Sequence, residues 1–228
     1  MRQAIVTDIE GTTSSIAFVK EVLFPFARAR LGDFVARRGA EPAVRQCLGE
    51  ARSLAGDPGL SDDALVALLT RWIDEDRKAT PLKTLQGYLW ADGYASGELL
   101  SHVYDDAVAG LRSWHAAGHA LHVFSSGSIA AQRLLFSHTK HGDLTPLFSG
   151  YFDTTTGPKL QASSYSAIAS ALGRPPAEVL FLSDHTGELD AAVAAGMQAV
   201  CLDRGEAIIP ASTPHRRVRS FAEIHPGG

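Results

Sequence analysis

Four short apolar runs, each ending in a polar or acidic cluster, constrain this chain more than any other feature. Ala4-Ile5-Val6-Thr7 ends at Asp8, and Leu121-His122-Val123-Phe124 ends at Ser125-Ser126-Gly127-Ser128. Val179-Leu180-Phe181-Leu182 ends at Ser183-Asp184, and Ala199-Val200-Cys201-Leu202 ends at Asp203. Short runs of this kind read as strands buried on both faces, the habit of parallel sheets. Helical patterns lie between them, at 164–172 and 188–195. Strands alternating with helices predict an α/β fold built on a mainly parallel sheet. Functional groups in such sheets collect beyond the carboxyl ends of the strands, so these polar clusters are candidates for one shared site.

Residues 17–105 have a different texture. Val19, Val22, Leu23 and Phe26 have helical spacing, with Pro25 expected to start, kink or end a helix. Val44, Cys47, Leu48, Ala51 and Leu54 form one apolar stripe, and Leu65, Leu68, Leu69, Trp72 and Ile73 another. Ser61 is the expected N-cap of the second, with Asp62 and Asp63 in its first turn. No alternating strand pattern interrupts this stretch, and 55–59 reads as an internal turn. The expectation is an all-helical module, a cap, at 17–105, inserted after the first strand of a discontinuous α/β core at 1–16 and 106–228. The insertion accounts for how far 228 residues exceed a core of about 150.

Composition narrows the class without naming a chemistry. Hydrophobic residues make up 45% and charged residues 20%, as in a folded globular chain. The balance of 21 Lys+Arg against 25 Asp+Glu, net −4, argues against non-specific nucleic-acid binding. Two cysteines make no disulfide framework and suit a reducing compartment. No apolar run approaches the ~18 residues of a membrane span. Met1-Arg2-Gln3 leads directly into the first strand, so no leader is expected and a cytoplasmic location follows.

Asp8 and Glu10 alternate along one extended segment, so both side chains can project to one side before Gly11-Thr12 turns the chain away. Two neighbouring carboxylates repel unless a cation lies between them or one holds a proton. Mg²⁺ suits hard oxygen ligands of this kind, with Asp184 the best third ligand. By itself the pair fits a capping and turn arrangement equally well. Ser125-Ser126-Gly127-Ser128 before a helix offers a phosphate cradle, although serine there is more often an ordinary N-cap. Gly157-Pro158-Lys159 is a turn bearing a lysine some seven residues ahead of a helix, and most lysines are solvated. What shifts the balance is the set in chain order: acid pair, serine strand end, lysine, acidic strand end.

That order resembles the haloacid dehalogenase superfamily of phosphatases, whose four motifs match Asp8-x-Glu10-Gly11-Thr12, Ser125, Lys159 and Ser183-Asp184. Glu10 stands where an aspartate is usual. This departure, with longer blocks at 7–28, 75–94, 124–136, 150–159 and 181–197, resembles the acireductone-forming enolase-phosphatases of methionine salvage. The resemblance implies a Rossmann-like core and one Mg²⁺ per chain. Asp8 would be the nucleophile and a metal ligand, Glu10 the acid–base and a metal ligand through its backbone carbonyl, and Asp184 a metal ligand. Ser125, Ser126 and Lys159 would bind phosphate. The implied reaction converts 2,3-diketo-5-methylthiopentyl 1-phosphate, through the 2-hydroxy-3-keto-5-methylthiopentenyl 1-phosphate enol, to 1,2-dihydroxy-3-keto-5-methylthiopentene and phosphate. A phosphatase of the same superfamily acting on another small phosphomonoester is the alternative. For the enolising base Glu10 comes first, ahead of Glu188, His185 and Lys159. A small-molecule substrate, no nucleic-acid or membrane partner and a monomer complete the implication.

Other residues carry bland readings beside sharper ones. Trp90, Tyr94, Phe18, Phe24 and Leu23 could meet a methylthio tail but are more readily core residues. His138 with His141, and His119 with His122, have i,i+3 spacing without cysteine or carboxylate partners in the pattern, which disfavours zinc. Cys47 and Cys201 read as buried small hydrophobes. Glu188 and Asp190 read either as support for the metal or as acids at a helix N-terminus. The tail from Asp203 carries no assignment.

Overall fold

A computed structural model of the chain describes residues 2–227. The strands and helices in chain order are β1 (Ala4–Thr7), α1 (Phe24–Arg38), α2 (Pro42–Ala55), α3 (Asp62–Asp74), α4 (Thr80–Ala95) and α5 (Asp105–Ala116). They continue with β2 (Ala120–Phe124), α6 (Ile129–Ser137), β3 (Phe148–Phe152), α7 (Ala162–Ala171), β4 (Val179–Ser183), α8 (Thr186–Ala194), β5 (Gln198–Leu202) and β6 (Arg216–Val218).

The six strands form one sheet in the order β3-β2-β1-β4-β5-β6, and every neighbouring pair is parallel. β1 pairs with β2 through Ala4↔Ala120 and with β4 through Ala4↔Val179, so it is central and buried along its whole length. The chain grows outward from β1 to β3, then returns to the other side of β1 at β4. That reversal between β1 and β4 is the topological switch point, where ligands of open α/β sheets bind beyond the carboxyl ends of the strands.

The chain divides into two compact units. One takes in the chain up to Phe18 and again from Leu100, and carries the sheet with α5–α8. On one side of the sheet Val6, Phe124, Phe181 and Cys201 pack with Tyr165, Ile168 and Leu189 from α7 and α8. Among the described residues, no helix is long and apolar enough to cross a membrane.

The other unit is Val19–Leu99 and is built from α1–α4. A π-helix over Phe18–Leu23 runs directly into α1, and Pro25 stands in the first turn of α1, just past that junction. Ser61 caps α3 by accepting from the Ala64 N–H. The two apolar stripes meet in a core of Phe34, Leu48, Leu65, Leu69 and Trp72, with Leu82 and Leu85 from α4. Leu54, counted on the α2 stripe, is instead exposed near the end of its helix. Trp90 is half-buried and donates its indole N–H to the Leu23 carbonyl at 2.9 Å, which ties α4 to the segment ahead of α1. Leu23 and Tyr94 are buried, and Phe24 packs partly against the helical core. Phe18 groups with the sheet unit and is buried.

Candidate active site

Asp8 follows β1 at the switch point. Its N–H donates to the Leu182 carbonyl at 2.8 Å, extending the β1–β4 ladder by one residue. The chain then folds sharply: the N–H groups of Thr12, Thr13 and Ser14 all converge on the Ile9 carbonyl at 2.9–3.2 Å. Gly11 sits in this turn at φ +67°, and a Cβ there would fall 2.1 Å from the Asp184 carboxylate. Glycine is required twice over, by the left-handed backbone and by the close approach of that carboxylate. Thr12 completes the join, because its hydroxyl accepts the Asp184 N–H at 3.1 Å. The β1 and β4 ends are thus locked together, with Asp8 buried and Asp184 half-buried.

Lys159 reaches this point from the loop before α7. Gly157 backs onto Ser164, whose hydroxyl donates to the Pro158 carbonyl at 2.7 Å, and the Tyr165 phenol donates to the Lys159 carbonyl at 2.8 Å. So anchored, the Lys159 ammonium lies 2.7 Å from Asp8 Oδ1 and 2.7 Å from Glu188 Oε2. Burial alone would lower the pKa of that ammonium, but Asp8 and Glu188 outweigh it and the net shift is upward. Glu188 also accepts from the Ser183 hydroxyl at 3.0 Å. The α7 helix begins at Ala162, nearer to Lys159 than the sequence suggested.

Ser125 follows β2 and is buried, its N–H donating to the Phe152 carbonyl at 3.2 Å. Its hydroxyl accepts the Gly127 N–H at 3.3 Å, while Ser128 caps α6 by accepting from Ala131. Ser126 is half-buried beside it. Gln132 braces the loop from below, donating to the Gly127 and Phe152 carbonyls at 2.8 Å each.

Asp8 and Glu188 therefore share one ammonium, whose charge also acts through space on the half-buried Asp184. Burial, then the Asp8 charge, pushes the Asp184 carboxyl up to about 7, with Glu10 adding to the effect. The same two causes push Glu188 up to about 7. This surplus of hard oxygen donors around an incompletely neutralised cluster is the environment a small divalent cation fits. Among the described residues, no three acidic, histidine or cysteine side chains stand together as a metal cage. Two carboxylates and a main-chain carbonyl, as the resemblance implies for Asp8, Asp184 and Glu10, make a set of the kind Mg²⁺ takes alongside waters and substrate phosphate.

Asp8, Lys159 and Asp184 come together as the sequence suggested, on the strand ends flanking the switch point. Glu188 joins them through Lys159. Asp190 does not: it is exposed and pairs with His215 Nε2 at 2.8 Å. His185 is exposed where α8 begins. The histidine pairs make no site either. His119 accepts from the Gln3 N–H, His122 is buried within β2, His138 bonds to Ser137 and Leu134, and His141 faces Asp105. Cys47 and Cys201 are buried free thiols. Gln132 and Tyr165 were missed by sequence reasoning, which read Thr12 only as part of the turn and motif after Asp8. Of the two missed residues, only Gln132 carried a signal, lying one helical turn beyond the Ser128 cap.

A family model for haloacid dehalogenase-like hydrolases matches residues 3–196. A protein named Enolase-phosphatase E1 from Methylococcus capsulatus is 57% identical over 204 residues, 90% of this chain and 90% of its own length. Another of that name from Pseudomonas syringae pv. syringae is 54% identical over 98% of this chain and 97% of its own. Among solved structures, the UTR4 protein of Saccharomyces cerevisiae superposes with a TM-score of 0.83 at 32% identity, covering 98% of this chain and all of that one.

Proposed function

The chain belongs to the haloacid dehalogenase-like hydrolases and, within them, to the enolase-phosphatases, and from that premise we propose how its residues carry out the reaction. The activity is that of methionine salvage: 2,3-diketo-5-methylthiopentyl 1-phosphate is enolised and then dephosphorylated to 1,2-dihydroxy-3-keto-5-methylthiopentene and phosphate. The observation that carries the assignment of roles is Lys159 bridging Asp8 and Glu188 at 2.7 Å each, beside Asp184 at the switch point.

Asp8 attacks the phosphorus of the enol phosphate, forming an acyl-phosphate bond as the bond from phosphorus to the enol oxygen breaks. Glu10 gives its proton to that departing oxygen, then takes one from the water that splits the acyl phosphate and frees Asp8 and phosphate. The fixed charge of Lys159, with Ser125 and Ser126, holds the phosphoryl oxygens in line. Glu188 and Ser183 keep the lysine aimed. In the preceding enolisation ionised Glu10 removes the C1 proton and keeps it for the departing oxygen, while the neighbouring carbonyl oxygen takes a proton from solvent to give the enol. Bound Mg²⁺, one per chain, would supply Lewis-acid neutralisation of the diketone and phosphoryl oxygens. It would be held by the Asp8 and Asp184 carboxylates and the Glu10 carbonyl. The helical unit corresponds to the cap module that the family resemblance implies, a part whose closing excludes water in enzymes that carry one. The enzyme works as a cytoplasmic monomer, an expectation supported by composition and family resemblance.

The test is phosphate release from the diketone phosphate, with Mg²⁺ and after thorough chelation, against a panel of small phosphomonoesters. Preference for the diketone phosphate and loss on chelation are expected. Equal rates across the panel would favour a generalist phosphatase, and turnover surviving chelation would contradict the metal's role.

A further inference from the structure

Arg204 lies in the segment after β5 that sequence reasoning left unassigned, yet its side chain is only 7% exposed. Its guanidinium is divided between two tasks. One edge meets Asp106, with Nη1 at 2.9 and 3.0 Å from the two carboxylate oxygens. The other edge closes on one backbone oxygen: Nε and Nη2 both donate to the Thr12 carbonyl, at 3.2 and 3.0 Å. Its plane is held by the Tyr104 ring, 4.3 Å from the guanidinium carbon, and Nη1 also reaches the Arg219 carbonyl. Asp106 is itself fixed, accepting from the Phe221 N–H at 2.8 Å and the Ser220 hydroxyl at 3.0 Å.

Thr12 is the residue through which this reaches the chemistry. It is fully buried, follows the Gly11 backbone that packs against the Asp184 carboxylate, and its hydroxyl takes the Asp184 N–H. A buried guanidinium bonded twice to one carbonyl costs too much desolvation to be incidental, and its planar fork fixes direction as well as distance. Glu206, two residues on, accepts from the Ile16 N–H at 2.6 Å and from the Tyr104 phenol, holding the end of the same loop.

We propose that Arg204 is a positioning residue of the phosphoryl-transfer site, acting through the Thr12 carbonyl to set Asp184 against the Gly11 turn. It touches no reacting atom; it fixes the geometry in which the β1 and β4 ends present their carboxylates. The inference rests on the phosphatase reading of that site.

The test compares wild type, Arg204→Lys and Arg204→Ala. Mg²⁺ affinity is read by titration calorimetry on metal-free protein, and kcat and KM are normalised to folded protein. Lysine keeps the charge but cannot close both donors on one carbonyl. Mg²⁺ affinity and kcat are therefore expected to fall about 10–100-fold in Arg204→Lys, with KM little changed, as for lost support behind a metal ligand. Low concentrations of guanidinium ion are expected to restore part of both in Arg204→Ala. Wild-type Mg²⁺ affinity and kcat in folded Arg204→Lys, with only a lowered melting temperature, would overturn the proposal and leave a purely structural arginine. If wild type itself releases no phosphate, the phosphatase reading fails, while the calorimetric comparison still decides whether Arg204 positions Asp184.

Discussion

Lys159 and Asp8 form an ion pair at 2.7 Å in which each side chain is less than a tenth exposed. A buried pair of this kind is costly to assemble and worse to break, since removing one partner strands the other charge. It is therefore weak support for stability and better understood as a fixed charge kept beside the residue proposed as nucleophile. The pair holds together because Glu188 neutralises the other side of the ammonium while Tyr165 fixes its main chain.

Replacing Lys159 with Met should accordingly damage catalysis more than folding. Phosphate release is expected to fall roughly 10²–10³-fold, the usual cost of one fixed electrostatic group at a transition state. Steady-state kinetics with a thermal melt would check this, and a variant within a few-fold of wild type would remove Lys159 from the mechanism.

The Asp184 and Glu188 carboxyls, both pushed up to about 7, set a pH dependence. Their folded pKa values lie above the unfolded ones, so the stability they contribute is complete at acid pH and is lost as pH rises toward 7. A cation that needs ionised ligands reverses this cost. Added Mg²⁺ is expected to raise the melting temperature more at about pH 8.5 than at about pH 5.5. An equal rise at both would contradict the placing of the cation among these acids.

Gly11→Ala tests the join between the strand ends. The left-handed backbone costs about 1–2 kcal/mol for a residue with a Cβ. That atom would also sit 2.1 Å from the Asp184 carboxylate, which must move. The expected outcome is a lower melting temperature together with weakened Mg²⁺ binding. Unchanged Mg²⁺ affinity would show that Asp184 can leave this position without consequence.

His122 provides a test away from the chemistry. Burial within β2 pushes its imidazole down to about 4, and Nδ1 has no hydrogen-bond partner. The folded state binds fewer protons than the unfolded one below the unperturbed pKa, so stability falls as pH drops from about 6.5 to about 4, by up to about 3 kcal/mol. Denaturant melts of His122→Leu should lack this loss relative to wild type, and parallel pH profiles would contradict it.

How much of this was legible depended on where each residue's partners lie. β1, β2, β4 and β5 showed as apolar runs because they are interior strands, covered on both faces. β3 escaped because Ser149 and Gly150 interrupt Phe148 and Tyr151, and β6 because Arg216 and Arg217 open it. Both are edge strands, where polar and charged residues are tolerated and discourage further pairing. In the site, Asp8, Lys159 and Asp184 were visible because side chains that carry charge to a strand end leave a motif. Gln132 and Arg204 were not, because they act on backbone carbonyls, which any residue can supply. Glu188 was ambiguous until its distance to Lys159 separated it from Asp190, two residues away on an exposed part of the helix.

Rapid acid quench during turnover of the diketone phosphate decides whether Asp8 carries the phosphoryl group. Peptide mapping of the quenched protein by mass spectrometry should find a phosphoryl adduct on Asp8. Asp8→Asn should show neither the adduct nor more than about 1% of wild-type phosphate release, since a lost nucleophile costs far more than that. Phosphate release by wild type with no adduct on Asp8, or an adduct on another residue, would contradict that role.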